Sequence, residues 1–346
     1  MAARAPRILT TRDLNRALLA RQLLLERATL GIPEAVEQVG GLQTQYAPSG
    51  YVGLWTRLAG FRRGALTEAL QDRSVIQGTL LRTTIHMVSC REFWRYAMAI
   101  RQARRTWSLR VQGAAANETS LVAAAERLRA ALAEGPRTVK ELDGLADGFI
   151  GNSGLWVDLV RVPPSGTWER RRADRLALAE DWVGPPDATE AEGLAHVVLA
   201  HLRAFGPAPW GDIASWAGIP VANAKRGGEG LGLVTYRDEH GRELVDLPDA
   251  PLPDPGTPAP VRFLPHWDAA LLVHARRTGL LPEVHRPRVF TSRNPFSVGT
   301  YLVDGHVAGA WSVRDGRVVL EPYEPLGDAD RRAVEDEREA LEEFHA

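Results

Sequence analysis

Few side chains in this sequence carry ready-made chemistry. It has no Walker loop, no GxGxxG opening a helix, no HExxH and no GxSxG, so phosphoryl transfer, dinucleotide chemistry and serine hydrolysis lack their usual devices. Cys90 is the single cysteine, which excludes an intrachain disulfide; with no CxxC or His/Cys cluster at zinc-site spacing, neither metal nor cofactor is expected. What remains is a pair of amides, Gln43 and Gln45, in GGLQTQYAPSGYVGLWTRL (40–58). Arg82 and His86 follow in LLRTTIHMVS (80–89), and Asp268 in RFLPHWDAALLVHARR (262–277). A glutamine amide does not titrate near neutral pH, so the pair cannot be a general acid or base; it can orient a molecule or satisfy backbone groups in a turn. Strand alternation puts Thr84, His86 and Val88 on one face, where His86 either reaches a phosphate or sugar or serves as a satisfied structural group.

The elements that must hold these residues repeat an order: an apolar-periodic helix, a second helix, a turn, a third helix and an alternating hairpin. This is the pattern of a winged helix-turn-helix. The first runs from TRDLNRALLARQLLLER through IPEAVEQVGGLQ and more helix near 50–72 to the hairpin VIQGTLLRTTIHMVS. The second has helices near 91–110 and 118–133, then TVKELDGL and a wing with VPPSGTWERR; the third has EGLAHVVLAHLRAFG, PWGDIASWAGIP and the hairpin GLVTYRDEHGRELVDL. A proline-rich linker, PDAPLPDPGTPAP (248–260), precedes a β-rich stretch through VRFLP, PRVFTS and GTYLVDGHVAGAWSVRDGRVVLEPY, whose two Asp-Gly pairs signal hairpins. The expected fold is α+β: tandem winged helix-turn-helix units at 1–90, 91–188 and 189–250, then a C-terminal β-rich, barrel-like domain at 260–346 ending in an acidic helical tail.

The net charge of −1 averages two unlike halves. Residues 1–130 hold 19 Arg against 9 acidic side chains, and the remainder 23 basic against 34 acidic, so the first half is where a polyanion would bind. Nearly all the positive charge is arginine, Lys140 and Lys225 being the only lysines. Arg12, Arg16, Arg21 and Arg27 interrupt the apolar residues of the N-terminal segment, and nowhere do eighteen apolar residues run together. No secretory signal, no membrane span and a cytoplasmic location are therefore expected.

Taken in this order, the segments Gly40–Leu58, Leu80–Ser89 and Arg262–Arg277 resemble the winged-helix DNA glycosylases typified by AlkZ and YcaQ, from Asp13 to about Tyr323. The resemblance implies that Gln43 and Gln45 are a catalytic pair, with Thr44 where relatives often carry an apolar residue. It also implies three winged-helix units and a β domain arranged around a duplex. A non-titrating pair suffices only where the leaving group departs unaided. An N7-alkylated guanine is already cationic, so what remains is to place water below C1′ and stabilise the oxocarbenium-like sugar. With no lysine near the pair to form a Schiff base, strand scission is not expected. The Gln-x-Gln version resembles enzymes that protect producers of DNA-alkylating natural products, which makes bulky adducts, interstrand crosslinks and self-resistance the expected context.

Duplex DNA bearing alkylated purines is then the expected partner, bound by a monomer. Arg82, His86, Arg91 and Arg95 are candidate DNA contacts; Arg91, Arg95, Arg101, Arg104 and Arg105 recur at helical spacing, which fits either a phosphate track or a solvated face. GTWERRR (166–172), with Trp168 and Arg170, either enters a groove or presents a core tryptophan with a basic edge. TSRNPFSVGTY (291–301), with Arg293 and Asn294, is a probing loop or a plain connection. Asp268 either stabilises developing positive charge, holds an arginine, or caps AALLVHARR. Against the enzyme stand a ligand-responsive regulator, weakened by the glycine-broken VANAKRGGEGLGL, and an interaction scaffold using the acidic half.

Overall fold

The computed structural model describes residues 7–112, 117–145, 153–272, 279–290 and 297–346, a mixed α+β chain. Helix α1 (Thr11–Arg21) starts at a capping box between Thr10 and Asp13. The periodicity predicts it to run on through Arg27, but Leu23 turns left-handed (φ 57°), Leu24 drops into the core, and Ala28 pairs with Leu58 as a lone bridge. Helices α2 (Ile32–Gln38), α3 (Pro48–Trp55) and α4 (Arg63–Gln71) follow, each of the first two opened by a proline whose missing N–H costs nothing there.

Strands β2 (Leu42–Gln43), β3 (Val75–Thr79) and β4 (Ile85–Ser89) form the first sheet segment. After α5 (Phe93–Gln112), α6 (Glu118–Leu132), β5 (Arg137–Thr138) and α7 (Val139–Asp143) come β6 (Leu159–Arg161) and β7 (Arg175–Leu178). β6 pairs antiparallel with β3, so the hairpins of the first two expected units join in one six-stranded sheet, ordered β2-β4-β3-β6-β7-β5. VPPSGTWERR lies in the β6–β7 connection.

Helix α8 (Glu190–Phe205) packs along α5; α9 (Trp210–Ala217) and α10 (Val221–Gly228) lead to β8 (Val234–Asp238) and β9 (Glu243–Asp246). The short N-terminal strand β1 (Ile8–Leu9) joins them in parallel. The proline-rich linker forms no helix or strand, yet α1 holds it: Arg21, Arg12 and Arg16 donate to the carbonyls of Pro251, Pro255 and Thr257. The expected boundary is therefore a strap along α1, not a free tether.

Beyond it, β10 (Arg262–Leu264), β11 (Gly299–Val303), β12 (His306–Arg314) and β13 (Arg317–Pro322) make an antiparallel sheet of four described strands. Both Asp-Gly pairs form two-residue turns with all four residues at positive φ, as that dipeptide favours. The barrel expected here is not formed: among the described residues the sheet stays open, β10 at one edge and β13 at the other. PRVFTS is not a strand either; Arg286–Val289 is a helical turn, and Thr291 and Ser292 lie outside the described residues. The acidic tail is a docked helix, α11 (Asp328–His345), which buries Val334 and Leu341 against the sheet and sets Phe344 beside Trp55, Phe61 and Trp168. Among the described residues no helix is long and apolar enough to cross a membrane.

Candidate active site

The Gln-x-Gln segment is held by its chain neighbours first. Gly40 and Gly41 both adopt positive φ (75° and 81°), and a side chain at Gly41 would sit 3.2 Å from the Met87 carbonyl, so glycine is what lets the chain turn out of α2 into β2. β2 then pairs with β4, Gln43 opposite His86, and Thr44 N–H donates to the Ile85 carbonyl. One residue on, the backbone ladder stops. Ile85 N–H donates instead to Gln45 Oε1 at 3.1 Å, so the side chain takes over where the strand leaves off.

Gln43 is fixed from the other side. Arg82 Nη2 donates to Gln43 Oε1 at 3.0 Å, while Nη1 donates to the Trp216 carbonyl at 2.7 Å. Both donors are donors only, so both amides turn an oxygen toward the protein. Each oxygen keeps a lone pair and each amide its two N–H groups. Gln43 is half-buried and Gln45 exposed.

Arg82 reaches Gln43 from a strained loop. Arg82 and Thr83 are both left-handed (φ 52° and 59°), and a Cβ on Gly218 would lie 3.1 Å from the Arg82 Cα, so the end of α9 presses against this loop. Burial lowers the Arg82 pKa to about 10, no carboxylate among the described residues raises it, and the group stays cationic at neutral pH. Beneath the pair, His86 is 3% exposed and its Nδ1 faces the Thr84 carbonyl at 3.2 Å, which makes Nδ1 the protonated nitrogen. Burial first, then the charge of Arg82, drive its pKa to about 3. It is neutral, covered, and out of reach of a phosphate: the expected DNA contact becomes a support under the sheet.

A profile of the AlkZ-like DNA glycosylases matches residues 36–344. The chain belongs to this family. No curated protein sequence matches it. Among solved structures it is similar to the Streptomyces sahachiroi DNA glycosylase AlkZ, at 18% identity, with 98% of this chain and 97% of that one covered and a TM-score of 0.81. Membership in the AlkZ-like family makes the protein a DNA glycosylase and DNA its substrate.

The other residues singled out in this AlkZ-like chain divide sharply. Asp268 is fully buried in a bidentate pair with Arg57, both contacts 2.9 Å, and also accepts from Ala270 N–H at 3.0 Å. It thus holds an arginine and caps the helical turn Ala269–Leu272, with no carboxylate edge left for a substrate. Of the two readings of Trp168, groove entry or core ring, its packing fits the second: it is 7% exposed and packed against Tyr51, Phe344 and His345. Arg91 is exposed but paired with Glu34 and Glu37, and Arg95 donates to the Arg91 carbonyl. Arg101 and Arg104 share Asp158, and Arg105 lies over the Trp156 ring. The helical arginine row is therefore largely spent within the fold. Arg170 is exposed; Arg293 and Asn294 lie outside the described residues. Among the described residues no cluster of His, Cys, Asp and Glu could hold a metal.

Sequence reasoning missed two neighbours. Tyr46, the residue after the pair, is reached by Arg171, whose Nη1 donates to the tyrosine hydroxyl at 3.2 Å from across the β6–β7 connection. The backbone carbonyl of Trp216 carries no sequence signal at all, while Tyr46 was legible only as an aromatic beside the motif.

Proposed function

We propose that Gln43 and Gln45 are the catalytic pair of a monofunctional glycosylase acting on cationic alkylated purines of the N7-alkylguanine type, bulky ones included. The observation that carries this is the locking of both amides at their oxygens, by Arg82 and by Ile85 N–H. An untethered glutamine loses side-chain entropy when it orders a water; here the protein has already fixed both groups. The remaining lone pairs can accept the two protons of one water, and the N–H groups are left to donate to the sugar-phosphate.

The reaction asks little else. The C1′–N9 bond breaks with its electron pair going to the base, which cancels the base's positive charge. Water oxygen bonds to C1′, and its proton passes to solvent. No acid is needed on the leaving group, in keeping with a neutral buried His86 and two amides that cannot titrate. Lys140 sits on α7 and Lys225 on α10, neither on the elements that build the pair, so an abasic site rather than a broken strand is the product.

On this reading Arg82 is a positioning residue, and with no acidic partner among the described residues its charge is free to meet a backbone phosphate of the damaged strand. The same chemistry extends to one arm of an interstrand crosslink and to self-resistance in a producer of an alkylating compound, with a monomer in the cytoplasm as the working form. The regulator reading is weakened further, since Arg226, one of the two basic residues on α10, is paired with Glu190. The test is single-turnover release of N7-methylguanine from a labelled duplex. Base release with scission only after alkali is expected; scission without alkali would remove the monofunctional assignment, and no release from this or a bulkier N7 adduct would remove the substrate class.

A further inference from the structure

Beside Gln45 the surface opens into a cleft of about 300 Å³ that the proposed hydrolysis does not use. Tyr46, Ser49, Arg171, His266, Trp311 and His345 line it, brought from α3 and the turn before it, the β6–β7 connection, the turn after β10, β12 and the end of α11. Its walls are rings in sequence: Tyr46 stands edge-on to His266 with centroids 5.7 Å apart, His266 faces Trp311 at 6.2 Å, and Trp311 faces His345 at 6.0 Å. Such edge-to-face and tilted pairs are the arrangements aromatic rings favour, and they leave room for a further ring among them.

Two polar atoms of the lining are unpaired. Ser49 is 3% exposed, and its Oγ has no hydrogen-bond partner; His345 Nε2 is likewise covered and unpartnered. Both atoms are closed to solvent, so what the cleft offers a ligand is the surface of its rings. Electrostatics narrows the class of ligand. Burial, then Arg171 and Arg63, lower the His345 pKa to about 4, so this wall is neutral, and Arg171 is the cation at the rim. A positively charged base would meet Arg171 unfavourably, whereas a neutral aromatic plane would not.

We propose that this cleft is a subsite for a neutral planar aryl group carried on the damaged base, seated among the rings of Tyr46, His266 and Trp311. The inference rests on the reading of the Gln pair as the glycosylase site and divides the lesion in two. The cationic purine lies at Gln43 and Gln45; its substituent lies in the cleft one residue further along the chain. The volume is near the lower end of small-molecule pockets, about 300–1,000 Å³, enough for a substituted ring system and not for a whole nucleotide.

The experiment compares single-turnover release of N7-methylguanine and N7-benzylguanine from otherwise identical duplexes. Ser312, half-buried on β12, also lines the cleft, and Ser312→Trp should fill it. Benzylguanine release is expected to slow at least tenfold in this variant while methylguanine release stays within about twofold, the methyl group not reaching the cleft. His266→Ala, which removes one wall, should lower the benzyl rate several-fold and again spare the methyl rate; thermal melts report whether either variant folds. Equal slowing of both lesions, or of neither, in folded variants would overturn the subsite while leaving the catalytic pair standing. Failure of the wild-type chain to release either lesion would overturn the reading beneath it as well.

Discussion

Arg57–Asp268 and Gln43–Gln45–Arg82 are both polar clusters assembled from distant parts of the chain, and both use an arginine fork. In the first, Nη1 and Nη2 of Arg57 bind both Asp268 oxygens, the Gly53 carbonyl and Gln22 Oε1, and both side chains are wholly buried. In the second, the Arg82 fork binds one amide and one carbonyl, finds no carboxylate among the described residues, and leaves the outer half of each glutamine open. Charge neutralised on all sides is architecture. Polar groups fixed on one side and open on the other have done part of the work of binding before a substrate arrives.

The contrast can be broken from either side. Asp268→Ala would leave the Arg57 charge buried and unpaired, and urea unfolding should register a loss of about 3–5 kcal/mol. A loss under about 1 kcal/mol would mean that the closed cluster is not structural. Arg82→Lys keeps the charge but cannot span Gln43 and the Trp216 carbonyl together. Its release rate should fall about tenfold, near 1.4 kcal/mol of transition-state stabilisation, with duplex affinity much less affected. If affinity falls and the single-turnover rate does not, Arg82 binds phosphate only and does not position Gln43.

The smallest effect concerns pH. His86 and His196 are held near pKa 3 and His345 near 4, mainly by burial, against 6.5 in the unfolded chain. Below about 6.5 the unfolded chain therefore binds protons that the folded one refuses, and stability should drop as pH falls from 6.5 toward 4. Above pH 7 these groups contribute no slope. His86→Leu should make the acid limb shallower by up to one proton, measured from urea midpoints at several pH values. The release rate itself should stay level between about pH 6.5 and 9, since neither amide titrates; a bell-shaped profile would require an acid or base absent from this account.

Local signals in the sequence held where short-range geometry decides. The two Asp-Gly turns, the hairpin around Arg82 and the helices of 93–112, 118–132 and 190–205 follow from turn chemistry and apolar period alone. The fusion of β3 with β6 did not, because a strand's neighbour is a long-range choice that alternation leaves undetermined. Charge misled most. The arginine-rich first half read as a polyanion surface, yet Arg21, Arg27, Arg57, Arg101 and Arg104 find Asp246, Glu337, Asp268 and Asp158 in the acidic second half. Much of the asymmetry is the fold's own complementarity. At the site, the Gln pair was visible as a motif; what locks it was not, because Ile85 N–H and the Trp216 carbonyl are backbone groups that any residue would offer.

The most direct test of the central claim is a double-mutant cycle on the pair, read as single-turnover release of N7-methylguanine by wild type, Gln43→Ala, Gln45→Ala and the double variant. Two amides holding one water act as a unit, so each single change should cost more than about tenfold and the double little more than the worse single. Single variants within about twofold of wild type, in protein that still binds duplex, would contradict the claim that these two glutamines carry the chemistry.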